Sequence, residues 1–223
     1  MPAPRSAASV VVARDSDGGM EVLMVQRSRG ASFMANAWVF PGGRVDEKDG
    51  PLSERASFAA AAVRELAEEA ALHLDASGLH AFARWITPSV EPKRFDALFF
   101  LAAAPESPAD QDARPDAGET VASRWARPRT LLDEHDAGTL RLPPPTYAML
   151  EDLVALPSVT AALTWAAQQP IEPILPKLVA LESHGGRPAI LLPSDPDYAA
   201  HPGEGEPWPA QHPLARVRTR FFF

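Results

Sequence analysis

The sequence contains no cysteine among its 223 residues. This absence excludes a disulfide framework, a zinc site with thiolate ligands and catalysis by a thiol nucleophile. The chain also lacks an uninterrupted apolar run of the roughly 18–20 residues that a membrane-spanning helix needs. Its N-terminal apolar stretch is short and is closed by Arg14 and Asp15, so we predict no secretory signal. We therefore expect a soluble, intracellular protein of the cytoplasm that does not bind membranes.

An excess of positive charge is also missing. The chain has 21 Lys and Arg against 29 Asp and Glu, a net charge of −8, which makes it a poor binder of a nucleic-acid backbone. Its hydrophobic content of 46% is ordinary for a globular domain with its own core. We expect a small-molecule ligand rather than nucleic acid, and a homodimer is compatible with the sequence.

Proline is scarce in the first half, with 6 of the 24 prolines before residue 101, so long elements can form there. The sequence predicts strands at 10–13, 20–26, 38–40, 79–87, 94–102 and 120–126, and helices at 53–72, 129–136 and 146–156. A late hairpin is predicted at 177–182 and 188–192. This order indicates an α/β protein with a mixed sheet covered by helices. We predict one domain over residues 1–156 and a proline-rich extension of helix and hairpin over 157–223 that packs on it.

Three carboxylates lie close together in the predicted long helix. At about 100° per residue, Glu68 and Glu69 fall within one face with Glu65. Ala59, Val63, Leu66, Ala67 and Ala70 form the opposite side. This pattern predicts that the glutamates face away from the core.

Such clustering of like charges costs roughly 0.2–0.5 kcal/mol for a pair four residues apart. Arg64, one turn before Glu68, relieves part of this repulsion, and a divalent cation would relieve the rest. Oxygen ligands without histidine or cysteine suit Mg²⁺ or Mn²⁺. Taken alone, such a string is usually a solvated helix face.

The context favours a site. Upstream of the helix, the short strand ends at Pro41-Gly42-Gly43, a turn where backbone carbonyls can approach an ion without obstruction by side chains. A glycine turn after a strand, followed by a helix with clustered carboxylates, is far more specific than either part. The combination predicts a metal site between the turn and the helix.

These residues resemble the signature of the Nudix hydrolase family. The opening glycine of its box matches Gly43, and its core matches Arg64, Glu65, Leu66, Glu68, Glu69 and Leu72. Two departures are Ala71, which stands in place of a glycine, and a span seven residues longer than standard, with Asp49 where the first glutamate falls. We place this insertion within Glu47 to Ser53 and expect it to leave the metal-binding turn intact.

The resemblance implies a Nudix α/β/α sandwich with a mixed sheet. It also implies that the metal is held by Glu65, Glu68 and Glu69 together with the Gly43 carbonyl, and that Arg64 orients the carboxylates. The family cleaves nucleoside diphosphates linked to another group, with metal ions that activate water and stabilise in-line displacement. Glu65 and Glu119 are the candidate general bases, although Glu119 is equally typical of a surface charge.

A second pattern resembles the branch of the family that cleaves coenzyme A and acyl-coenzyme A, which includes animal peroxisomal enzymes and bacterial relatives. The matching residues are Leu23, Arg27, Ser28, Phe40, Pro41, Gly42, Gly43 and Asp46; Val25, Ser32 and Asn36 depart from it. Asn36 replaces a glycine and tolerates a left-handed backbone, whereas Ser32 replaces an arginine and removes a phosphate contact. By this resemblance, Arg27, Arg44 and Arg94 are expected near the phosphates, although each is also typical of a surface ion pair.

The leading hypothesis is therefore a metal-dependent hydrolase that cleaves coenzyme A or acyl-coenzyme A to 3′,5′-ADP and a 4′-phosphopantetheine product. Two alternatives stay open. One is a hydrolase of ADP-ribose, a nucleotide sugar or a dinucleoside diphosphate. The other is a Nudix-like module that senses a nucleotide without cleaving it; such modules usually lose box glutamates, so the presence of all three favours an enzyme.

Overall fold

The computed structural model describes residues 3–31, 34–209, 211–214 and 220–222. The chain forms two compact units. One, here called the box unit, consists of Ser6–Phe82 and Leu98–Gln169; the other, called the C-terminal unit, consists of Met1–Arg5, Ala83–Ala97 and Pro170–Phe223. Among the described residues, no helix combines the length and the apolar character that crossing a bilayer requires.

The strands are, in chain order, β1 (Arg5–Ser16), β2 (Gly19–Arg27), β3 (Trp38–Val39), β4 (Gly42–Arg44), β5 (His80–Ile86), β6 (Phe95–Ala103), β7 (Thr120–Ala126), β8 (Pro173–Ile174), β9 (Lys177–Leu181), β10 (Arg187–Leu191) and β11 (Arg220–Phe222). The helices are α1 (Arg55–Ala70), α2 (Pro128–Asp136), α3 (Pro144–Val154) and α4 (Val159–Ala167). The larger sheet has the order β3-β2-β1-β6-β5-β8, with β4 paired to β1 and β7 paired to β2. Strands β5 and β8 run parallel, whereas β1 and β2 run antiparallel. The predicted α/β class with a mixed sheet is confirmed.

The β1–β2 hairpin supplies the centre of the box unit. Its register brings Ala13 opposite Val22 and Ser16 opposite Gly19, so the turn lies at the Asp-Gly-Gly segment as predicted. Strand β1 is longer than predicted because its buried run from Val10 to Ala13 continues into flanking residues that also pair. A near-continuous apolar run is typical of a strand that is covered on both faces.

A short strand that was not predicted holds the glycine turn in place. In β4, Gly42 lies opposite Ser9 and Gly43 lies opposite Ala8, and the Val10 N–H donates to the Pro41 carbonyl over 2.9 Å. A Cβ atom added at Gly42 would lie 2.4 Å from the Ala8 carbonyl oxygen. The turn is therefore fixed against the central strand of the sheet, at a position that tolerates no side chain.

Helix α1 packs against β4 and ends at a residue with left-handed backbone. Ala71 has φ 54° and ψ 28°, and its N–H donates to the Ala67 carbonyl. This is the conformation that glycine adopts most readily at the end of a helix. The substitution of alanine for the box glycine therefore leaves the geometry of the helix end unchanged and adds backbone strain.

The C-terminal unit contains the predicted late hairpin, β9 and β10, joined by β11 in an antiparallel sheet. Leu181, Ala189, Leu191 and Tyr198 form its core. Helix α4, whose residues fall within the predicted extension, belongs instead to the box unit, and residues 83–97 belong to the C-terminal unit. The boundary after residue 156 therefore does not coincide with a boundary between the compact units, and the packing of the extension on the rest of the chain stays a prediction.

Candidate active site

Arg64 donates hydrogen bonds to several groups of the site. Its Nε and Nη2 atoms donate to the two carboxylate oxygens of Asp49 over 2.8 and 2.9 Å. Its Nη1 donates to Glu65 Oε1 over 2.8 Å and to Glu68 Oε2 over 3.1 Å, and its Nη2 also reaches the Arg44 carbonyl over 2.9 Å. Asp49, foremost among these partners, raises the pKa of Arg64. One guanidinium thus ties together the insertion, strand β4 and two box glutamates.

Asp49 is presented by a short 3₁₀ turn, Glu47–Asp49, inside the insertion. The turn is closed by reciprocal bonds, because the Asp46 N–H donates to Asp49 Oδ2 over 2.8 Å and the Asp49 N–H donates to the Asp46 carbonyl over 2.9 Å. The hydrogen bonds from Arg64 hold the pKa of Asp49 below its usual range. These hydrogen bonds hold the 3₁₀ turn of the insertion against the side chain of Arg64.

Glu69 is buried, and the expectation that it faces away from the core is wrong. Its side chain is only 3% exposed, because strand β4 covers this side of α1. The Gly42 N–H donates to Oε2 over 2.9 Å, whereas Oε1 is buried without a hydrogen-bond partner. Burial raises the pKa of Glu69 to about 7, against the opposing effect of the Gly42 N–H.

The predicted core face of α1 is correspondingly only partly right. Leu66 and Ala70 are buried, but Ala59, Val63 and Ala67 are only half-buried. The helical angles placed the glutamates on one face correctly. They did not show that the glycine turn packs over that face.

Glu65 lies directly under the second glycine of the turn. A Cβ at Gly43 would come within 2.4 Å of its carboxylate, so only glycine fits at this position. Burial raises the pKa of Glu65, and the charges of Glu68 and Glu119 add to this effect, while Arg64 opposes it. The role of the Gly43 carbonyl as a metal ligand stays a prediction.

Glu68 is the most exposed of the three box glutamates. Its side chain is 53% exposed, and Oε1 lies 3.5 Å from the Lys48 ammonium group, which is itself 59% exposed. Glu68 is thus shared between Arg64 on α1 and Lys48 on the 3₁₀ turn. Lys48 and the ion pair of Asp49 were not predicted from the sequence, because both depend on how the insertion folds back on α1.

The start of β7 brings Glu119 towards the box. Thr120 Oγ1 donates to the Glu69 carbonyl over 2.9 Å, and the Ser28 N–H donates to the Glu119 carbonyl over 2.8 Å. The negative charge of Glu119 acts on both Glu65 and Glu69, and its side chain is exposed. The two candidate bases, Glu65 and Glu119, are therefore close enough for the charge of Glu119 to raise the pKa of Glu65.

The three predicted phosphate-binding arginines have different settings. Arg27 is half-buried, and its Nη1 lies 4.0 Å from Glu69 Oε1. Arg44 has an exposed side chain at the end of β4. Arg94 is buried in the C-terminal unit, where it donates to the Thr87 carbonyl and, over 2.5 Å, to Glu204. The contacts of Arg94 are those of a structural ion pair, and its role in substrate binding stays a prediction.

Two departures from the coenzyme A pattern have different outcomes. Asn36 adopts φ 59°, the left-handed backbone that a glycine in that position allows, so this substitution is tolerated as expected. Ser32 lies outside the described residues.

The box carboxylates fit a divalent cation. Among the residues that the structure describes, no three histidine, aspartate or glutamate side chains are grouped so that they could hold a metal ion; Glu65 and Glu68 contact Arg64, and Glu68 also contacts Lys48. However, Glu69 offers a buried oxygen without a hydrogen-bond partner, and burial raises the pKa values of Glu65 and Glu69. A bound cation would compensate this buried negative charge, and the donors are all hard oxygens.

Comparison with known proteins identifies the family of the chain. The family model of the NUDIX domain matches residues 3–144. A Caenorhabditis elegans protein that carries the name nudix hydrolase 7 is 31% identical over an alignment of 176 residues, which covers 63% of this chain and 57% of that protein. Human acyl-coenzyme A diphosphatase NUDT19 is 30% identical over an alignment of 94 residues, which covers 40% of this chain and 24% of the human protein. The chain thus spans less than two thirds of the length of these curated relatives.

A solved structure is similar over most of the chain. It is the crystal structure of a NUDIX hydrolase from Alicyclobacillus acidocaldarius, with a TM-score of 0.68, 26% identity, and coverage of 78% of this chain and 100% of that one. The family model covers well over half of the sequence. The chain belongs to the Nudix hydrolase family.

Proposed function

We propose that this protein is a Mg²⁺- or Mn²⁺-dependent hydrolase that cleaves the diphosphate of coenzyme A or acyl-coenzyme A, giving 3′,5′-ADP and a 4′-phosphopantetheine product. The observation that carries the proposal is the packing of Glu65 and Glu69 against the Gly42-Gly43 turn. There, Glu69 keeps one buried oxygen without a hydrogen-bond partner, and a cation, Arg27, lies 4.0 Å from it. Acidic metal ligands beside a phosphate-binding cation suit a metal-assisted diphosphate hydrolase.

The residues would divide the work as follows. Glu65, Glu68 and Glu69 would hold the cation, which when bound neutralises the diphosphate and makes water a better nucleophile. Arg64 would keep Glu65 and Glu68 oriented through the hydrogen bonds that it already donates to them. Hydrogen bonds of this kind from outer residues commonly tune the ligands of a metal site.

Glu119 is the better candidate for the general base. The Glu65 carboxylate is engaged by Arg64 and is crowded by the turn at Gly43, which restricts its movement towards a water molecule. The side chain of Glu119 is exposed, yet its charge acts on both Glu65 and Glu69. A base needs this combination of nearness and access to solvent.

Coenzyme A is favoured among diphosphates by the matching residues that precede the box and by the similarity to human acyl-coenzyme A diphosphatase NUDT19. Arg27 and Arg44 flank the glycine turn in the chain and supply positive charge for phosphate groups. Asn36 adopts the left-handed backbone that the glycine of the coenzyme A pattern would allow.

The test is a panel of diphosphates incubated with purified protein and either Mg²⁺ or Mn²⁺, with products identified by mass. It contains coenzyme A, an acyl-coenzyme A, dephospho-coenzyme A, ADP-ribose, a nucleotide sugar and a dinucleoside diphosphate. We expect the highest kcat/KM with coenzyme A or its acyl form. Glu65→Gln serves as the inactive variant, and Glu106→Gln, a change at an exposed loop glutamate, serves as the matched control.

The panel also separates the alternatives. Faster cleavage of ADP-ribose than of any coenzyme A compound would replace the substrate assignment and retain the enzyme class. Binding of a nucleotide without turnover of any compound, with both metals tested, would favour a nucleotide-sensing module.

A further inference from the structure

We infer that Lys48, which the insertion contributes, is a substrate-binding residue that exchanges its ion pair with Glu68 for a contact with the diphosphate group. This inference rests on the proposed function, since it assigns a residue to the same site. Lys48 stands at a position that the box signature leaves unspecified, and the folding of the insertion brings it to the carboxylates. Its ammonium group lies 3.5 Å from Glu68 Oε1.

The backbone that carries Lys48 is held firmly while its side chain is not. Asp49, the next residue, is tied to Arg64 by two hydrogen bonds and to the Asp46 backbone by a third. In contrast, the Lys48 side chain is 59% exposed. Lys48 therefore starts from a fixed point beside α1, with a flexible stem and a compact positive charge at its end.

The ion pair with Glu68 is easily released. Both side chains are more than half exposed, and exposed ion pairs of this kind contribute little to stability because solvent screens them. Glu68 also accepts a hydrogen bond from Arg64, so it keeps a cationic partner when Lys48 leaves. Nothing in these contacts holds Lys48 at Glu68 once a stronger anion is present.

Metal binding would provide the reason for the exchange. A divalent cation that takes Glu68 as a ligand brings two positive charges close to the Lys48 ammonium, and the two cations repel one another. A diphosphate that arrives with the metal offers Lys48 several charged oxygens in exchange for one carboxylate. Lys48 then acts on substrate affinity, while the carboxylates and the base act on the chemical step.

Calorimetry on the whole 223-residue chain tests this inference. The variants are Lys48→Met, which keeps the length of the side chain, Lys48→Arg, which keeps its charge, and Lys93→Met, which removes an exposed lysine in the C-terminal unit. The probes are Mn²⁺ alone and then adenosine 5′-(α,β-methylene)diphosphate, an analogue that resists hydrolysis, at saturating Mn²⁺.

We expect Lys48→Met to weaken binding of the analogue about tenfold, Lys48→Arg to restore most of it, and Lys93→Met to change nothing. Mn²⁺ alone should bind Lys48→Met as tightly as the wild type or more tightly, because Glu68 loses a competing cation. In turnover, Lys48→Met should raise KM about tenfold and change kcat little. Thermal denaturation checks that the variants fold, and Lys48→Gln replaces Lys48→Met if it does not.

Unchanged affinity for the analogue in Lys48→Met would overturn the inference, as would equal weakening of Mn²⁺ and analogue. Failure of the wild type to bind the analogue with Mn²⁺ present would overturn it as well. The proposed function fails on a different result, the absence of turnover of every diphosphate in the panel. Calorimetry decides the role of Lys48 even in that case.

Discussion

Arg64 and Asp49 form a two-point contact, with Nε–Oδ1 and Nη2–Oδ2 distances of 2.8 and 2.9 Å. Their side chains are only 16% and 4% exposed, so solvent weakens this pair less than it weakens a surface ion pair. The pair joins the insertion to the helix that carries the box glutamates. Since Arg64 also donates to Glu65 and Glu68, Asp49 acts on the metal ligands through Arg64.

Asp49→Asn should lower both stability and activity. It removes the charge of a largely buried ion pair while keeping its shape, so we expect a loss of about 1–3 kcal/mol in the free energy of unfolding, measured in urea. Asp112→Asn is the control, because Asp112 forms a similar pair with Arg114 in which the side chains are 61% and 75% exposed. A loss at Asp112 as large as that at Asp49 would contradict the argument.

The pH dependence of this loss has a definite sign. The pKa of Asp49 is lowered in the folded protein by Arg64, so its stabilising contribution is present above the ordinary carboxyl pKa and is lost as the pH falls through the lowered value. The difference between wild type and Asp49→Asn should therefore be full at neutral pH and shrink in acid.

Much of the fold follows from local sequence. The Asp-Gly-Gly turn specifies the β1–β2 hairpin, and the run of strong helix formers without glycine or proline specifies α1. Strands β4, β8 and β11 were not predicted because each has only two or three residues and exists through pairing with a distant segment. Helix α4 was missed as well, although Ser158 caps its N-terminus as a serine before a helix commonly does.

The site was predictable as a set of residues and less so as a geometry. Helical periodicity placed Glu65, Glu68 and Glu69 on one face, because that relation is local. The burial of Glu69 depends on β4 covering α1, and the ion pair of Asp49 joins residues 15 positions apart. Contacts of this kind depend on tertiary packing, which helical periodicity does not reveal.

Glu69→Gln should reduce turnover by several orders of magnitude by weakening the metal site, and it should stabilise the metal-free protein at alkaline pH. In the folded protein the pKa of Glu69 is raised to about 7 from 4.5. Its contribution to stability is therefore complete below the unfolded value and is lost as the pH rises through about 7. A glutamine side chain does not titrate, so the Glu69→Gln variant does not lose stability in this way.

The measurement is thermal denaturation in EDTA at pH 5 and pH 8. Relative to the wild type, Glu69→Gln should gain stability between the two pH values. Added Mg²⁺ should then favour the wild type, because a ligand stabilises the folded state that binds it. Near-normal kcat in folded Glu69→Gln with Mg²⁺ would disprove the assignment of Glu69 to the metal.

Glu119→Gln should lower kcat by about 10²–10⁴-fold, the usual contribution of a general base, without weakening Mn²⁺ binding. The exposed carboxylate of Glu119 lies outside the hydrogen bonds of Arg64, so its loss should leave the metal ligands in place. Kinetics and Mn²⁺ calorimetry on the same preparation distinguish this from a metal-site defect. An unchanged kcat in Glu119→Gln would mean that Glu119 is not the general base and would leave Glu65 as the candidate.

Ala71→Gly should stabilise the protein. Ala71 has φ 54°, a backbone conformation that costs roughly 1–2 kcal/mol for a residue with a Cβ, and part of that gain is offset by the greater freedom of glycine in the unfolded chain. We expect the free energy of unfolding to rise by about 0.5–1 kcal/mol. Ala67→Gly, inside the same helix, should instead lower the free energy of unfolding by about 1 kcal/mol. A lower free energy of unfolding in Ala71→Gly than in the wild type would show that the backbone of Ala71 is not strained.

Arg27→Ala should lower kcat/KM for coenzyme A and for dephospho-coenzyme A to the same extent. An arginine that selects the 3′-phosphate of coenzyme A should lose its effect on the dephospho compound. However, Arg27 Nη1 lies 4.0 Å from Glu69 Oε1, beside the proposed metal site, so its charge acts where the diphosphate would bind. A lost charge-assisted contact contributes roughly 1.5–3 kcal/mol, which corresponds to about a tenfold to hundredfold loss on each substrate. Steady-state kinetics on the matched pair decide the question: a loss confined to coenzyme A would mean that Arg27 reads the 3′-phosphate.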